Sequence, residues 1–432
     1  MERIVVRGGR PLIGTVRISG AKNAALPIMA AAILTDSPSV LHRVPRLTDV
    51  ATISTILRAL GVSAEWIGPD SLRLVPSRNG PVEAPSHLVR QMRSSICVLG
   101  PLLAMRGAAR MATPGGCVIG DRPIDLHLKG LNALGARIEI NGAHISGRAD
   151  RLRGTSIDLK GPYGSTVLGT ANVLMAAALA EGRTLIKHAA CEPEVQDLAR
   201  FLNGCGAHIR GIGTPTLVIE GVKSLHGTEH TIIPDRIEAG TFLAAAASTG
   251  GEITLEGLRA DHLRAVIEAM GRMGVEFHEA EDALTVRRPG PLQAIGLATS
   301  PYPGLPTDMQ PQLSALLCLT RGISTVREGV HPCRFTHVGE LQRMGARIVQ
   351  GDGQTIIEGV GQLHGAHVTA ADLRGGAALM VAALAADGET TISGVDQIDR
   401  GYQTLEERLT MLGADISRSE APPAEQRHRK SA

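Results

Sequence analysis

A six-fold internal repeat constrains the fold of this chain more than any other feature. Each copy has an apolar stretch that ends in a glycine and a small residue, followed by a short alternation of apolar and polar residues, as in Leu131-Asn-Ala-Leu-Gly-Ala-Arg-Ile138. Glycine is favoured just after a helix, where the backbone turns to positive φ, and the alternation is typical of a half-buried strand. Six copies, 68 to 74 residues apart, predict six α/β modules; their glycines are Gly61, Gly135, Gly206, Gly274, Gly345 and Gly413.

A second element recurs between these glycines, a stretch built mainly from alanine, glycine and leucine. Such stretches are apolar nearly all round, so we expect them to form buried helices. Six modules most simply form two domains of three, with a junction near residue 225. The six predicted helices span residues 23–34, 94–105, 166–179, 239–247, 309–319 and 375–385.

Composition narrows the possible partners and the compartment. The 432 residues have a formal net charge of +2 and 2% aromatic residues, which argues against nucleic acid or a membrane as the main partner. The six cysteines include no C-x-x-C pair, so a zinc ribbon or a thioredoxin-like site is not indicated, and free thiols fit a reducing compartment. The N-terminus lacks an apolar signal segment, and the longest apolar runs are too short to span a membrane. We expect a soluble cytoplasmic protein, with residues 421–432 as a disordered basic tail.

Basic residues lie at the predicted helix starts, or in neighbouring loops, of several modules. If the modules surround two pseudo-threefold axes, these ends converge between the domains and form a cationic cleft. Such a cleft suits a small polyanion, because helix N-termini and guanidinium groups bind phosphate and carboxylate. The sequence contains no P-loop and no G-x-G-x-x-G motif after a strand, so use of ATP or NAD is not indicated. For Lys22 alone, a surface lysine is the simpler interpretation. These basic residues are Lys22, Arg93, Arg122, Lys160, Arg334, Arg374 and Arg400.

A few other residues carry groups suited to acid–base chemistry. Cys117 lies in a loop rich in glycine and proline, an unusual position because free cysteine is usually buried. Asp308 opens a predicted helix, where it is either an N-cap or a carboxylate directed into a cleft as a general base. Asp125 also stands at a helix start and can simply be a cap. Asp235 and Glu238 are expected to be structural caps.

Six short motifs become distinctive when they are taken together. They are Ser19-Gly-Ala-Lys-Asn23, Pro114-Gly-Gly-Cys-Val-Ile-Gly-Asp-Arg-Pro-Ile-Asp-Leu126, Pro234-Asp-Arg-Ile-Glu238, Leu305-Pro-Thr-Asp-Met-Gln310, Asp372-Leu-Arg374 and Asp399-Arg-Gly-Tyr402. In order and spacing, the chain resembles the UDP-N-acetylglucosamine enolpyruvyl transferase family over about residues 1–418. The resemblance implies an α/β fold, a two-domain inverted α/β barrel of six repeated β-α-β-α-β-β modules, with the active site between the domains. It places one domain at 22–229 and the other at 1–21 together with 230–420.

The resemblance implies a specific reaction. The enolpyruvyl group of phosphoenolpyruvate passes to the 3-hydroxyl of UDP-N-acetylglucosamine with release of phosphate, the first committed step of peptidoglycan synthesis. Asp308 is then the base that takes the hydroxyl proton, and Cys117 is the acid that protonates the methylene carbon from a loop that closes as a lid. In the family this cysteine can form an adduct with phosphoenolpyruvate and is alkylated by fosfomycin. No metal and no cofactor are implied, because fixed cations hold the phosphate and the carboxylate.

The resemblance also implies which residues form the site. Lys22 and Arg400 join Cys117 and Asp308 as the catalytic residues. The implied substrate-binding residues are Lys22, Asn23, Arg93, Arg122, Pro123, Ile124, Asp125, Leu126, Lys160, Asp308, Val330, Arg334, Asp372 and Arg374.

Two segments depart from the family pattern near the acceptor. Pro162-Tyr163-Gly164 stands where the family has a Ser-Val-Gly-type turn, and proline has no N–H to donate to a diphosphate oxygen. His331-Pro332-Cys333 stands where the family has an aromatic residue, an acidic residue and asparagine. These departures motivate two alternatives: transfer to another acceptor, such as a uridine nucleotide in secondary metabolism, or a non-catalytic sugar-nucleotide-binding paralogue. The retained acid, base and lysine argue against the paralogue.

Overall fold

The computed structural model describes residues 2–115, 120 and 123–420. The predictions made for Cys117, for Arg122 and for the tail at 421–432 lie outside the described residues. None of the helices in the described ranges is both long enough and apolar enough to cross a membrane.

Helices and strands alternate along the described chain. Short 3₁₀ turns lead into or follow several of the helices, at Ala32–Leu34, Arg93–Val98, Ala260–Leu263 and Thr307–Met309. The α-helices are α1 (Lys22–Ala31), α2 (Thr48–Ala59), α3 (Ser86–Val89), α4 (Leu99–Arg106), α5 (Asp125–Ala133), α6 (Val167–Ala177), α7 (Pro193–Gly204), α8 (Arg236–Thr249), α9 (Arg264–Arg272), α10 (Gln310–Cys318), α11 (Val338–Arg343), α12 (Leu373–Ala385), α13 (Val395–Asp399) and α14 (Leu405–Met411).

The strands are short and evenly distributed. They are β1 (Glu2–Arg7), β2 (Ile13–Arg17), β3 (Ser39–His42), β4 (Ser63–Trp66), β5 (Leu72–Val75), β6 (Ala108–Ala112), β7 (Arg137–Asn141), β8 (His144–Arg148), β9 (Ser156–Asp158), β10 (Lys160–Gly161), β11 (Gly164–Ser165), β12 (Arg183–Lys187), β13 (His208–Arg210), β14 (Thr216–Glu220), β15 (Glu229–Thr231), β16 (Glu252–Glu256), β17 (Glu276–Glu279), β18 (Ala283–Arg287), β19 (Gly296–Ala298), β20 (Arg321–Arg327), β21 (Arg347–Gly351), β22 (Gln354–Val360), β23 (His367–Thr369), β24 (Glu389–Ser393) and β25 (Asp415–Glu420).

The sheets repeat one pairing pattern. In the sheet β19-β20-β22-β21, β19 pairs parallel with β20, which pairs antiparallel with β22, and β22 pairs antiparallel with β21. The sheets β13-β14-β12-β9, β15-β3-β5-β4, β17-β18-β16-β2 and β23-β24-β1-β25 combine one parallel pair with antiparallel pairs in the same way. In the sheet β6-β8-β7 a parallel bridge from Glu83 to Arg110 takes the place of the fourth strand. This pattern, with its helices, confirms the predicted fold class of six repeated β-α-β-α-β-β modules.

The apolar helices form the interior, as their sequences predict. Nearly every residue of α1, α6, α8, α10 and α12 is buried. The helices α8, α10 and α12 pack against one another, whereas α6 packs against α1 and α4. The small side chains of these helices let their backbones approach closely; a methyl group placed on Gly100 of α4 would lie 2.4 Å from the carbonyl oxygen of Asn172 in α6.

The glycines of the repeat adopt the conformation that the sequence predicts. Each of the six has a positive φ, from 82° at Gly61 to 102° at Gly135. In this region an L side chain is strained, whereas glycine is not. The strongest signal of the repeat therefore marks the point where each helix ends and the chain turns into the next strand.

Two hydrophobic clusters divide the core. One contains buried residues between Ala21 and Ile232, and the other contains Ile4 to Ile18 together with Ile237 to Ala414. The chain passes twice from one cluster to the other, and an antiparallel bridge between Gly20 and Pro234 joins the two passages. The domain boundaries given above stay a prediction. A cavity lies where residues from the two parts of the chain meet.

Candidate active site

A cavity of about 670 Å³ contains most of the residues that the sequence assigned to the site. Lys22 begins α1, Arg236 begins α8, Thr307–Met309 leads into α10, and Arg374 lies in the first turn of α12. Helix N-termini carry partial positive charge, so this convergence favours anions. The predicted residues that line the cavity are Lys22, Asn23, Arg93, Asp308, Val330, Arg334, Asp372, Arg374 and Arg400.

Asp308 lies between two guanidinium groups. Its Oδ1 accepts a hydrogen bond from Arg334 Nη1 at 2.7 Å, and its Oδ2 accepts hydrogen bonds from Arg374 Nη2 at 3.2 Å and Nε at 3.3 Å. Asn23 Nδ2 lies 3.5 Å from the same Oδ2. The 3₁₀ turn at Thr307–Met309 has no side-chain cap, so the N-capping alternative for Asp308 is wrong. The carboxylate faces the cavity and is paired with cations.

Arg374 is held from behind by a buried hydroxyl network. Its Nη1 donates to Tyr402 Oη at 3.0 Å, and Tyr402 Oη also contacts Thr241 Oγ1 at 2.9 Å and Gln312 Nε2 at 3.3 Å. Burial opposes the charge of Arg374, but Tyr402 and nearby carboxylates outweigh burial and raise the pKa of this guanidinium. Arg374 is therefore a fixed cation in a fixed orientation.

Lys22 is buried in an ion-pair cluster with a residue that the sequence did not single out. Lys22 is 6% exposed, so its interpretation as a surface lysine is wrong. Its Nζ lies 2.7 Å from Asp49 Oδ2, and Arg400 Nε lies 3.0 Å from Asp49 Oδ1. Burial lowers the pKa of Lys22, and the nearby charges of Arg374 and Arg400 lower it too. Asp49 raises this pKa, but by less than the other groups lower it. Asp49 stands in the first turn of α2, where an acidic residue is common, so nothing local marked it.

Five of the predicted substrate-binding residues, Pro123, Ile124, Asp125, Leu126 and Lys160, do not line the cavity. Arg93 links this region to the cavity, because its Nη2 donates to the carbonyl oxygen of Pro123 at 3.2 Å. Pro123 and Asp125 are exposed, and Asp125 begins α5 without a side-chain capping bond, so the capping alternative for Asp125 is wrong. Lys160 is exposed on the two-stranded β10–β11 ribbon.

Leu126 and Ile124 connect this region to the ribbon and to the core. A methyl group placed on Gly161 would lie 3.0 Å from Leu126 Cδ1, so the start of α5 packs against the β10–β11 ribbon. Ile124 is buried. Ser165, at the end of β11, lines the cavity, so the ribbon continues into the cavity wall.

A second ion-pair cluster on the cavity wall was not predicted. Arg236 donates from Nε to Glu194 Oε1 at 2.9 Å and from Nη2 to Glu194 Oε2 at 3.2 Å, and both side chains are buried. Beside them, burial raises the pKa of Glu192, although Arg236 acts in the opposite direction. Glu194 belongs to α7 and Arg236 to α8, so the pair joins segments on either side of the chain crossing.

The expectation of structural caps at the start of α8 is confirmed for one residue. Asp235 caps α8, because its carboxylate accepts from the backbone N–H groups of Ile237 and Glu238. Glu238 is not a cap. Its side chain instead accepts from Ser19 N at 2.7 Å and pairs with Arg408.

Comparison with known proteins identifies the class of the fold. The family model of EPSP synthase (3-phosphoshikimate 1-carboxyvinyltransferase) matches residues 6–409. The solved structure of the enolpyruvyl transferase NikO from Streptomyces tendae has a TM-score of 0.89 and 28% identity, covering 98% of this chain and 99% of that one. EPSP synthase from Acinetobacter baumannii shares the fold, with a TM-score of 0.74 and 20% identity over 97% of this chain and 100% of that one. The fold is that of the enolpyruvyl transferases.

Comparison with curated relatives identifies the family within the enolpyruvyl transferases. UDP-N-acetylglucosamine 1-carboxyvinyltransferase from Methylacidiphilum infernorum is 50% identical over 97% of this chain and 99% of its own length. The protein with the same name from Granulibacter bethesdensis is 49% identical over 97% of this chain and 99% of its own length. The chain belongs to the UDP-N-acetylglucosamine 1-carboxyvinyltransferase family, which confirms the resemblance drawn from its motifs.

Proposed function

We propose that this protein transfers the enolpyruvyl group of phosphoenolpyruvate to the 3-hydroxyl of UDP-N-acetylglucosamine and releases phosphate. The observation that carries the proposal is the Asp308 carboxylate, which lies between Arg334 and Arg374 in a cavity that also contains Lys22 and Arg400. A base beside several fixed cations is what this addition and elimination require. The names of the full-length relatives agree with this function.

The proposed first step is an addition. Asp308 takes the proton of the sugar hydroxyl while the sugar oxygen forms a bond to carbon 2 of phosphoenolpyruvate. The methylene carbon receives a proton at the same stage, and we assign its donation to Cys117, which lies outside the described residues. Two electrons of the C=C bond form the new C–H bond, so carbon 2 becomes tetrahedral and carries the phosphate, the carboxylate and the sugar ether.

The proposed second step is an elimination. The bond from carbon 2 to the phosphate oxygen breaks, and its electron pair leaves with the phosphate. The methyl group returns a proton to Cys117, and the electrons of that C–H bond re-form the C=C bond. The phosphate leaves with the proton that Asp308 took from the sugar hydroxyl. We assign phosphate and carboxylate binding to Lys22, Arg93, Arg122 and Arg400, and Arg374 supports Asp308. Fixed cations placed before the reaction neutralise this charge without reorganisation. The scheme therefore assigns no step to a metal or a cofactor.

Acceptor binding is assigned to the other side of the cavity. Asn23 lies beside Asp308, so we place the sugar ring there, and we assign Val330 and Asp372, which also line the cavity, to acceptor binding. The nucleotide then extends toward the exposed Lys160 and the segment 123–126, at the start of α5. This direction gives the anionic diphosphate access to solvent and to basic side chains.

A second candidate is the same transfer to a different acceptor. The observation that favours it is the exposed Tyr163, at the tip of the β10–β11 ribbon, and the exposed Cys333, in the 331–333 segment. Gly120 packs closely on Cys333, since a methyl group on Gly120 would lie 2.8 Å from Cys333 Cβ. Both segments differ from the family pattern where we place the acceptor.

Phosphate release with a panel of acceptors separates the two candidates. The purified protein is mixed with phosphoenolpyruvate and, in turn, UDP-N-acetylglucosamine, UDP-glucose, UMP and uridine. We expect turnover with UDP-N-acetylglucosamine and at most a small fraction of that rate with the others. Faster turnover with UMP or uridine would establish the second candidate, and no turnover with any acceptor would support the non-catalytic paralogue.

The biological setting belongs to the proposal as well. We propose that the protein acts in the cytoplasm in the first committed step of peptidoglycan synthesis, and that fosfomycin alkylates Cys117. We also propose that the domains are 22–229 and 1–21 with 230–420. The division between the two hydrophobic clusters supports these bounds.

A further inference from the structure

Glu328 is a buried carboxylate that lies just behind the cavity wall. It directly follows β20, and Thr299 directly follows β19, the parallel neighbour of β20. Because the carboxyl ends of parallel strands meet at the same edge of a sheet, the two side chains lie side by side. Thr299 Oγ1 donates to Glu328 Oε1 at 2.6 Å, and Glu328 is 4% exposed. Nothing in its local sequence marked this residue.

The carboxylate of Glu328 gathers donors from three separate places. Besides Thr299, its Oε1 accepts from the backbone N–H groups of Val330 and His331, each at 2.9 Å. Its Oε2 accepts from Thr307 Oγ1 at 3.0 Å. Three donors therefore share Oε1, and Thr307 is the donor to Oε2. Val330, His331 and Thr307 all line the cavity, so one carboxylate fixes two parts of its wall.

The hydrogen bond from Thr307 to Glu328 determines how the Thr307 hydroxyl interacts with Arg334. A hydroxyl has one hydrogen, and Thr307 donates it to Glu328. Toward Arg334 it therefore presents a lone pair, which accepts from Nη1 at 3.1 Å. The same Nη1 donates to Asp308 Oδ1 at 2.7 Å. A continuous chain thus runs from Glu328 through Thr307 and Arg334 to Asp308.

We propose that Glu328 is a positioning residue for the enolpyruvyl transfer, an assignment that rests on the proposed function. It orients Thr307 so that Arg334 is held against Asp308, and it fixes the backbone of Val330 and His331 on the acceptor side. It touches no substrate, because it lies outside the cavity wall. Its effect is on the geometry of the base, and displacements of about 1 Å in such geometry can change rates by about 10²-fold.

The variant Glu328→Gln tests this role with little change of shape. The amide oxygen must face the three donors at the Oε1 position, so the amide nitrogen replaces Oε2 and becomes a donor to Thr307. Thr307 can then no longer give its hydrogen to residue 328, and its arrangement with Arg334 is disturbed. We expect kcat for phosphate release to fall by roughly tenfold to 100-fold, and KM for phosphoenolpyruvate to change by less than about threefold.

A second variant and a control separate positioning from a general loss of structure. Thr307→Val removes the intermediate hydroxyl, so we expect a similar fall in kcat and no further fall in the double variant. Glu358→Gln makes the same chemical change on β22 of the same sheet, in an exposed pair with Arg347, and should leave kcat and KM unchanged. Wild-type kcat in Glu328→Gln, or independent effects of Glu328→Gln and Thr307→Val, would overturn the proposal.

A crystal structure of Glu328→Gln tests the positioning role without any turnover. We expect Arg334 Nη1 to leave Thr307 and to lengthen its contact with Asp308. Unchanged contacts would overturn the proposal, whatever the acceptor is. If the wild-type protein released no phosphate but Arg334 moved in the variant, the proposed function would fail while the positioning role of Glu328 would stand.

Discussion

Replacing Asp49 with asparagine removes one charge and keeps the shape of the side chain. Asp49 is the shared partner of two buried or half-buried cations, with its oxygens 2.7 Å from Lys22 Nζ and 3.0 Å from Arg400 Nε. Removing one partner of a buried pair typically costs about 3–5 kcal/mol, because the remaining charge stays buried. We expect the lower end, about 3 kcal/mol, because Lys22 can lose its proton instead of remaining charged and unpaired.

The loss of Asp49 has a definite pH dependence. Burial lowers the pKa of Lys22 below its ordinary value of 10.5, and Asp49 is the group that opposes this. Without Asp49 the pKa of Lys22 falls further. Between that lowered pKa and 10.5 the unfolded chain binds more protons than the folded chain, so the stability of Asp49→Asn rises with pH in this window. Its activity should change in the opposite direction, since the proposed role of Lys22 needs the ammonium form.

Two measurements on Asp49→Asn test the effect of Asp49 on Lys22. Urea unfolding between pH 6 and pH 9 should give a free energy of unfolding that increases with pH more steeply than that of the wild type. Phosphate release should lose activity at a lower pH than the wild type does. Asp150→Asn is the control, because its pair with Arg137 is fully surface-exposed and such pairs contribute about 1 kcal/mol or less. Wild-type stability and an unchanged pH–rate profile in Asp49→Asn would show that Asp49 does not hold Lys22 in its charged form.

Two further predictions concern the groups that hold the cavity wall. In Tyr402→Phe the Nη1 of Arg374 loses the hydroxyl that it contacts at 3.0 Å. We expect the free energy of unfolding, measured in urea, to fall by about 1–3 kcal/mol, and kcat to fall as well. An unchanged kcat would contradict the supporting role of Tyr402. In Glu194→Gln the buried Arg236 loses its bidentate carboxylate partner. We expect the free energy of unfolding to fall by about 3–5 kcal/mol in the same urea assay. A change below about 1 kcal/mol would show that the Arg236–Glu194 pair does not stabilise the contact between α7 and α8.

The fold was largely predictable because its determinants are local and repeated. Each glycine of the repeat ends its helix through a conformational preference that needs no distant partner. The burial of the apolar helices can be predicted from their composition alone. Helix starts were less predictable: α8 begins at Arg236, three residues before the predicted start, because the side chain of Asp235 caps it. A cap can start a helix before its apolar stretch, so the apolar pattern alone does not predict the first residue of the helix.

The site was only partly predictable because its charges pair across long sequence distances. Arg400 and Asp49 are separated by 351 residues and Arg236 and Glu194 by 42. The cations were visible because basic residues at helix starts are unusual, whereas their acidic partners occupy ordinary positions. Asp308 was a candidate from its position at a helix start, and the family resemblance favoured the base over the cap. The structure agrees that this residue is not a cap.

The most direct test of the account compares wild-type protein with Asp308→Asn in the presence of phosphoenolpyruvate and UDP-N-acetylglucosamine. Phosphate release is followed in time, and the product is examined by NMR for an enolpyruvyl ether at the 3-position of the sugar. We predict one phosphate per ether formed by the wild type, and a rate lower by at least about 10²-fold in Asp308→Asn, as expected for loss of a general base. Turnover by Asp308→Asn at the wild-type rate, or phosphate release without the 3-ether, would contradict the assignment of Asp308 as the base.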